Sequence, residues 1–348
     1  MKLMRNRIAG AFLFGLIAAH GPVLPTSQAS ALPGAAPPTD SASWVRAAQN
    51  QFEAGNYPAA ITTLQSAISQ NPTSPDAHYW LGRCYGELRD FDSAVKEAEK
   101  SVALDDKNSL YHLWLGRAYG DKADRDRSLF TAKKAKAEWE KAIQLDPRNI
   151  VARRDLEEYC LEAPWIAGGS KDEANSEVTA IAALDPVQGH LARAVYDIAG
   201  TKKLDLAENE YRQVLLAKPK AIDAYVEVIA FFGGQNKPSD METAIQGAAL
   251  ASPNDPRLAY FRGVERVLSG TDFAHAEEYL KSYIASTPNR SDWPSHAGAR
   301  VWLGKMYEAQ GKRAEAAEQY RAALQLDPGR KEARARLEKL EKLEKSPG

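Results

Sequence analysis

A short sequence recurs three times in this chain and constrains its fold more than any other feature. It reads YWLGRCYG over residues 79–86, LWLGRAYG over 113–120 and VWLGKMYE over 301–308. A period of about 34 residues with a Trp-Leu-Gly core and a following Tyr is typical of a repeated helix–turn–helix unit. Each such unit buries its apolar face only against its neighbours, so the copies predict an array of stacked helical pairs.

Small residues in the repeat predict where the two helices of a unit touch. Glycine lets another backbone approach closely, and an alanine recurs at the matching place in the second helix. A proline then follows most second helices, where it prevents the helix from continuing. We assign a structural packing role to Gly82, Gly116, Gly304, Ala60, Ala94 and Ala316.

This pattern resembles the tetratricopeptide repeat (TPR) family. Strand signals are few, and apolar residues recur mostly at helical spacing. The resemblance implies an all-α fold, an α-solenoid of about seven to eight helical hairpins. The charged stretch after the last repeat predicts a C-terminal capping helix. The resemblance further implies that the first helices line a concave face where a partner segment docks.

The repeats divide the chain as follows. We predict a signal peptide over 1–31, a flexible Pro/Ala-rich leader over 32–41, the repeat array over 42–328, and a capping helix with a tail over 329–348. The predicted units lie near 42–73, 74–108, 109–149, 150–186, 187–220, 221–253, 254–288 and 297–328.

The N-terminus has the features of a secretory signal peptide. Three basic residues precede an apolar run over 8–19, and Ala29-Ser30-Ala31 is a small-residue cleavage site. The apolar run is short for a membrane span, and an uncleaved anchor is the alternative. No other segment approaches transmembrane length. We therefore expect export, to a bacterial periplasm or beyond the cell.

Charge and cysteine content narrow the function classes. The formal net charge is −1, and removal of three basic signal-peptide residues leaves −4. This balance gives no support to a nucleic-acid partner. Cys84 and Cys160 fall in first helices two units apart. Stacked helices lie about 8–10 Å apart, so we predict two buried thiols without an intrachain disulfide.

The first helices carry candidate binding residues. Arg83, Arg117 and Lys305 each follow the Leu-Gly pair, and arginine beside aromatic rings suits a ligand with carboxylates and apolar groups. In the alternative, these cations only solvate an apolar face. The family's known carboxylate-binding set needs an Asn at this place and is not expected here. The candidate groove residues are Tyr79, Arg83, Glu87, Arg117, Asp121, Trp165 and Lys305.

Two stretches depart from the repeat. Residues 123–129 add charged sequence to the third unit and predict a longer loop between its helices. Residues 163–171 form a long loop with Trp165, which we place over the groove. Ser170 and Glu173 form a capping box for the next helix, whereas anion binding at that helix start is the weaker alternative.

No catalytic or metal-binding pattern stands out. His78 and His112 lie 34 residues apart in a bulky slot at the start of a first helix, which indicates packing rather than a metal pair. We expect no cofactor. The sequence therefore favours a non-enzymatic exported scaffold for proteins of the cell envelope. A glycan- or small-ligand-binding protein, and an enzyme with a site in the degenerate units, are the alternatives.

Overall fold

The computed structural model describes residues 40–345, and the predicted signal peptide lies outside them. Within this range the chain forms seventeen α-helices and no strand. The all-α prediction is therefore confirmed. Contacts divide the described residues into two compact units, one ending at Glu210 and the other beginning at Tyr211, inside a helix.

The N-terminal unit holds the helices up to that division. They are α1 (Ser41–Glu53), α2 (Tyr57–Gln70), α3 (Pro75–Glu87), α4 (Phe91–Leu104), α5 (Ser109–Asp126), α6 (Leu129–Leu145), α7 (Ile150–Glu162), α8 (Lys171–Leu184), α9 (Pro186–Val195) and the first half of α10 (Leu204–Ala217). A 3₁₀ turn over Trp165–Ala167 precedes α8, and a π-helical turn over Tyr196–Thr201 follows α9.

The C-terminal unit continues the same alternation. Its helices are α11 (Ile222–Gly234), α12 (Pro238–Ala251), α13 (Arg257–Ser269), α14 (Phe273–Ser286), α15 (His296–Ala309), α16 (Arg313–Leu326) and α17 (Lys331–Lys345). Successive helices pack as hairpins, for example α13 with α14 and α15 with α16, and α17 packs on α16. The array thus ends with a single helix that covers the last hairpin.

Local sequence explains where these helices begin and end. Ser74 caps α3 by accepting a hydrogen bond from the N–H of Ala77, and Pro75 occupies the first helical turn. Asp146 and Asp185 end α6 and α8 in extended backbone directly before a proline. Capping residues and prolines recur along the chain, so pairs of helices with similar ends recur as well.

The small residues of the repeat lie at the closest approach of paired helices. A Cβ added to Gly82 would stand 3.1 Å from the carbonyl oxygen of Ala94, and one added to Gly116 would stand 2.6 Å from Nε1 of Trp139. Gly304 faces the ring of Tyr320 in the same way. Ala60, Ala94 and Ala316 are each at most 2% exposed. A larger residue at the glycines would force the helices of a hairpin apart.

The predicted longer loop in the third repeat is wrong. The extra residues lengthen both helices instead, and the chain reverses over Arg127 and Ser128 alone. Arg127 adopts the left-handed conformation, with φ 54°, and Ser128 caps α6 by accepting from the N–H of Thr131. Lys122 and Arg125 then form ion pairs with Asp92 of α4 on the surface. The charged stretch therefore adds a helical turn that ion pairs hold against the preceding hairpin.

Candidate interaction site

The repeated Trp-Leu-Gly-Arg sequence places a tryptophan and an arginine on one face of α3 and of α5. Positions i and i+3 are neighbours on a helix surface, so Trp80 lies beside Arg83 on α3 and Trp114 lies beside Arg117 on α5. We call these four residues, together with Phe52 of α1, the arginine–tryptophan cluster. The packing of α3 on both α1 and α5 brings its members together.

Arg83 lies at the centre of this cluster. Its guanidinium carbon is 4.5 Å from the ring centroid of Phe52, 4.4 Å from that of Trp80 and 4.2 Å from that of Trp114. All three distances are within the range of cation–π contacts. The flat guanidinium is therefore held between rings supplied by three consecutive first helices.

The hydrogen-bond donors of Arg83 are largely unused. Its Nη1 donates to the hydroxyl of Tyr79 at 3.4 Å, which is long for such a bond. Its Nε is buried and has no hydrogen-bond partner among the described residues. A guanidinium offers five N–H donors in a fork that matches a carboxylate. Arg83 is thus oriented by the rings around it, and the N–H groups at the tip of its guanidinium, rather than the buried Nε, are the donors left for a ligand.

Arg117 occupies the same repeat position but is already paired. Its Nε donates to Oδ2 of Asp155 at 2.6 Å, and its Nη2 donates to Oδ1 of the same carboxylate at 3.1 Å. Its guanidinium carbon is also 4.8 Å from the Trp114 ring centroid. Burial lowers the pKa of Arg117, but Asp155 outweighs that effect and leaves the pKa above its ordinary value. Arg117 therefore links α5 to α7 and helps to fix Trp114.

The structure brings only some of the predicted groove residues together. Tyr79 is buried, and its ring centroid is 6.0 Å from that of Trp114, so it packs against the cluster. Burial raises its pKa, and the charge of Arg83 opposes this effect. Glu87 and Asp121 are half-buried one helical turn after the two arginines, and both have electrostatic or hydrogen-bond partners.

Trp165 lies on a loop that is fixed by its backbone. Tyr159 of α7 donates to the carbonyl of Ala167 at 2.5 Å, and Lys136 of α6 donates to that of Gly168 at 3.0 Å. The Trp165 side chain is 84% exposed. Within the described range its 3₁₀ turn packs on α6, which is a second helix. This loop is therefore held by α6 and α7, and its tryptophan side chain points into solvent.

The start of α8 is occupied by the protein itself. Ser170 caps the helix by accepting from the N–H of Glu173 at 3.3 Å, and the Lys171 ammonium donates to the carbonyl of Gly200 at 2.6 Å. Glu173 in turn pairs with Lys136 at 2.6 Å. The geometry supports capping and loop packing at this position.

Lys305 belongs to the C-terminal unit, where it holds the position equivalent to Arg83. Its Nζ is 3.5 Å from the ring centroid of Trp302 and 3.6 Å from Oε1 of Glu332 on α17. Burial lowers its pKa, and Glu332 opposes this effect. The cation–π arrangement of the first copies thus recurs at the end of the array with a different cation.

Sequence reasoning missed a repeated His–Glu pair, which is buried in the first copy and more exposed in the third. Nδ1 of His78 lies 2.6 Å from Oε2 of Glu97, and Nδ1 of His112 lies 2.6 Å from Oε2 of Glu138. His190 and Glu210 repeat the contact at 2.6 Å. The packing interpretation of the histidines was incomplete, because each also cross-links the two helices of its hairpin. The sequence does show a glutamate on the second helix of each of these hairpins. Its distance along the chain from the histidine varies with the lengths of the helices.

Three further features are absent among the described residues: a metal-binding group, a disulfide and a membrane-spanning helix. No group of three His, Cys, Asp or Glu residues suitable for a metal ion occurs between residues 40 and 345. Cys84 and Cys160 are both free and buried. Among the same helices, none has both the length and the apolar character needed to cross a bilayer.

Comparisons with known proteins agree with the repeat pattern. Two segments, 51–117 and 267–331, match sequence profiles described as Tetratricopeptide repeat. No curated protein matches the chain.

Solved structures include several similar chains. A thermophilic TPR protein of Thermus thermophilus is 23% identical, with 56% of this chain and 98% of that one covered and a TM-score of 0.45. A TPR protein of Parabacteroides merdae is 14% identical, covering 86% and 98%, with a TM-score of 0.43. A chain of the APC/C hetero-tetramer Cut9-Hcn1 is 13% identical, covering 86% and 55%, with a TM-score of 0.48.

The two matched segments fall in different parts of the chain. The first spans the hairpins that carry Arg83, and the second spans those that carry Lys305. Between them, the described chain continues as paired helices. The chain thus contains segments similar to tetratricopeptide repeats over residues 51–117 and 267–331.

Proposed function

We propose that this protein is a non-enzymatic scaffold that binds a protein segment on the first-helix face of its N-terminal unit. The segment carries a carboxylate between apolar side chains. Tetratricopeptide repeats are protein-interaction modules, which supports the general role. The observation that carries the specific proposal is Arg83, whose guanidinium is stacked by Phe52, Trp80 and Trp114 while its donors lack strong partners.

The chemistry of the cluster favours this class of ligand. An arginine that is held rigidly before binding loses little conformational entropy when a carboxylate arrives. Trp80 and Trp114 are half-buried, so each presents part of an indole to an incoming side chain. Arginine and tryptophan are among the residue types that most often dominate binding energy at protein interfaces. Arg117 contributes indirectly, because Asp155 holds it and it contacts Trp114.

A peptide-display selection against the purified protein tests the proposal. We expect the selected peptides to share an acidic residue next to aromatic or aliphatic ones. Their affinity for Arg83→Gln should be about tenfold weaker or worse, in line with loss of a charge-assisted hydrogen bond. The matched control is Arg148→Gln, because Arg148 is exposed in the turn after α6. Peptides without acidic residues, or equal binding to Arg83→Gln, would refute the proposal.

We also propose that the protein acts outside the cytoplasm, in the cell envelope of a bacterium. The basic start, the apolar run over 8–19 and Ala29-Ser30-Ala31 support this location. Residues 1–41 fused to alkaline phosphatase, which requires export for activity, provide the test. An active fusion with cleavage after Ala31 is the expected result, and an inactive cytoplasmic fusion would contradict it.

A further inference from the structure

A second candidate site lies in the C-terminal unit, apart from the arginine–tryptophan cluster. A cavity of about 600 Å³ opens where α13 and α15 end and α17 passes beside them. Val267, Leu268 and Leu340 supply apolar walls, and Trp302 supplies an aromatic one. The volume is within the range of roughly 300–1,000 Å³ that is typical of small-molecule sites, and the walls are both apolar and charged.

The charged residues of this cavity are mostly positive. Lys305, Arg313, Arg336 and Lys339 line it, whereas Glu308 is the acidic residue of the lining. Arg336 is already used, because its Nη1 donates to Oε2 of Glu308 at 2.5 Å. Its Nε also donates to Oε1 of Glu332 at 3.3 Å. Lys305, Arg313 and Lys339 therefore set the charge that a ligand meets.

Lys305 is the cation placed best to hold an anion. Its side chain is only 17% exposed, and its nearest carboxylate oxygen, on Glu332, is 3.6 Å away. That distance exceeds a normal hydrogen bond, so Glu332 satisfies the three N–H donors of the ammonium only weakly. Trp302 supports the ammonium from one side at 3.5 Å, and the indole is itself hydrogen-bonded with Tyr260. The ammonium is thus held in place with donors to spare.

The backbone carbonyl groups at the end of α15 already accept hydrogen bonds. They therefore do not compete with a ligand for the Lys305 ammonium. The N–H of Gln310 donates to the carbonyl of Met306, and the N–H of Gly311 donates to that of Glu308. The N–H of Lys312 donates to the carbonyl of Tyr307. These bonds satisfy the carbonyls that a helix C-terminus otherwise leaves free. The side chains therefore set the charge preference of the cavity.

We infer that this cavity binds a small organic anion with a flat apolar body. The carboxylate or other anionic group would be bound by Lys305, with Arg313 and Lys339 at the entrance. The apolar body would fill the space between Val267, Leu268 and Leu340. This site uses none of the residues that bind the proposed protein segment, so the two proposals succeed or fail separately.

Calorimetric titration at low ionic strength tests the inference with 2-naphthoate as the probe. The neutral isostere 2-naphthamide tests the need for charge, and acetate tests the need for an apolar body. We expect saturable binding of 2-naphthoate that is about tenfold or more tighter than that of either comparison compound, because both the charge and the apolar contact are used. Absence of 2-naphthoate binding, or equal binding of 2-naphthamide, would overturn the inference.

Variants locate the probe. Lys305→Gln and Arg313→Gln should each weaken 2-naphthoate binding several-fold, in keeping with loss of one nearby charge. Arg313 and Lys339 are exposed, so Arg313→Gln and Lys339→Gln test the site even if Lys305→Gln disturbs the fold. Lys312→Gln is the matched control, because it removes a positive charge next to Arg313 from a residue outside the cavity. An equal effect of Lys312→Gln, or no effect of the three lining variants, would reject this site.

Discussion

Arg117 and Asp155 form a two-pronged ion pair between α5 and α7, with Nε–Oδ2 and Nη2–Oδ1 distances of 2.6 and 3.1 Å. The two side chains are 12% and 6% exposed. Arg83, one repeat earlier, is the same residue type at the same helix position but has no such carboxylate. One copy of the repeat thus ties its arginine to a carboxylate of α7, whereas the arginine of the other copy is held by aromatic rings.

The pair makes Asp155→Ala strongly destabilising. Removal of one partner leaves the buried guanidinium of Arg117 without its counter-charge, and such losses cost about 3–5 kcal/mol. Urea unfolding of the purified variant measures the change. Asp92→Ala is the control, since Asp92 pairs with Lys122 and Arg125 on the exposed surface. We expect a far smaller shift in midpoint for Asp92→Ala, and equal shifts would contradict the assigned role of Asp155.

The glycines of the repeat give a second prediction. Gly116→Ala should lower the free energy of unfolding by about 1–3 kcal/mol, because its Cβ would overlap the Trp139 indole and force a shift in packing. Gly86→Ala is the matched control. Gly86 lies in helix α3, and an added Cβ there would meet no atom within 4 Å.

The control should move in the opposite direction. Alanine is more stable than glycine by about 0.5–1 kcal/mol in a helix interior, and by less at Gly86, the next-to-last residue of α3. Thermal or urea unfolding of both variants therefore separates overpacking from helix propensity. Destabilisation of Gly86→Ala with no change in Gly116→Ala would show that the close helix contacts have been assigned to the wrong glycines.

The sequence predicts the contacts that recur once in every repeat. It does not predict contacts that depend on a change in repeat length. Gly82, Gly116 and Gly304 could be found because the same small residue faces the second helix of its hairpin in each copy. Asp155 could not be found, because α7 lacks the Leu-Gly pair and its register against α5 depends on the longer third repeat. The His–Glu pairs were hidden for a similar reason: their separations are 19, 26 and 20 residues.

One of those pairs leads to a third prediction. Nδ1 of His78 contacts Glu97, and Nε2 contacts the carbonyl of Pro72 at 3.2 Å. Because both ring nitrogens face oxygen acceptors, His78→Leu removes two interactions and leaves the buried Glu97 with Lys100 alone. We expect a loss of about 1–3 kcal/mol in the free energy of unfolding.

His275→Leu is the comparison for that variant. His275 pairs with Asp272, but both side chains are largely exposed. Its unfolding midpoint should stay close to that of the unaltered chain, whereas that of His78→Leu should fall. If both variants unfold at the unaltered midpoint, the buried pair does not stabilise its hairpin.

The two cysteines give the last prediction. Burial raises the pKa of Cys84 and of Cys160 to about 12. At pH 8 the thiolate fraction in the folded chain is then roughly one in ten thousand, against about a quarter in an unfolded chain with an ordinary pKa near 8.5. A disulfide reagent releases a coloured thiolate when a cysteine thiolate attacks it. It should therefore react with neither thiol in the folded protein, and with both in guanidinium chloride.

The same shift fixes the direction of a pH effect on stability. Between about pH 8.5 and 12 the unfolded chain loses the thiol protons that the folded chain keeps, so the free energy of unfolding falls as the pH rises. Tyr159, whose pKa burial raises to about 12, acts in the same direction. Replacement of both cysteines by alanine should flatten the decline between about pH 8 and 9, where tyrosine, with an ordinary pKa near 10, has barely begun to ionise. An unchanged slope, or rapid labelling of the folded chain, would show that the two thiols are not buried in solution.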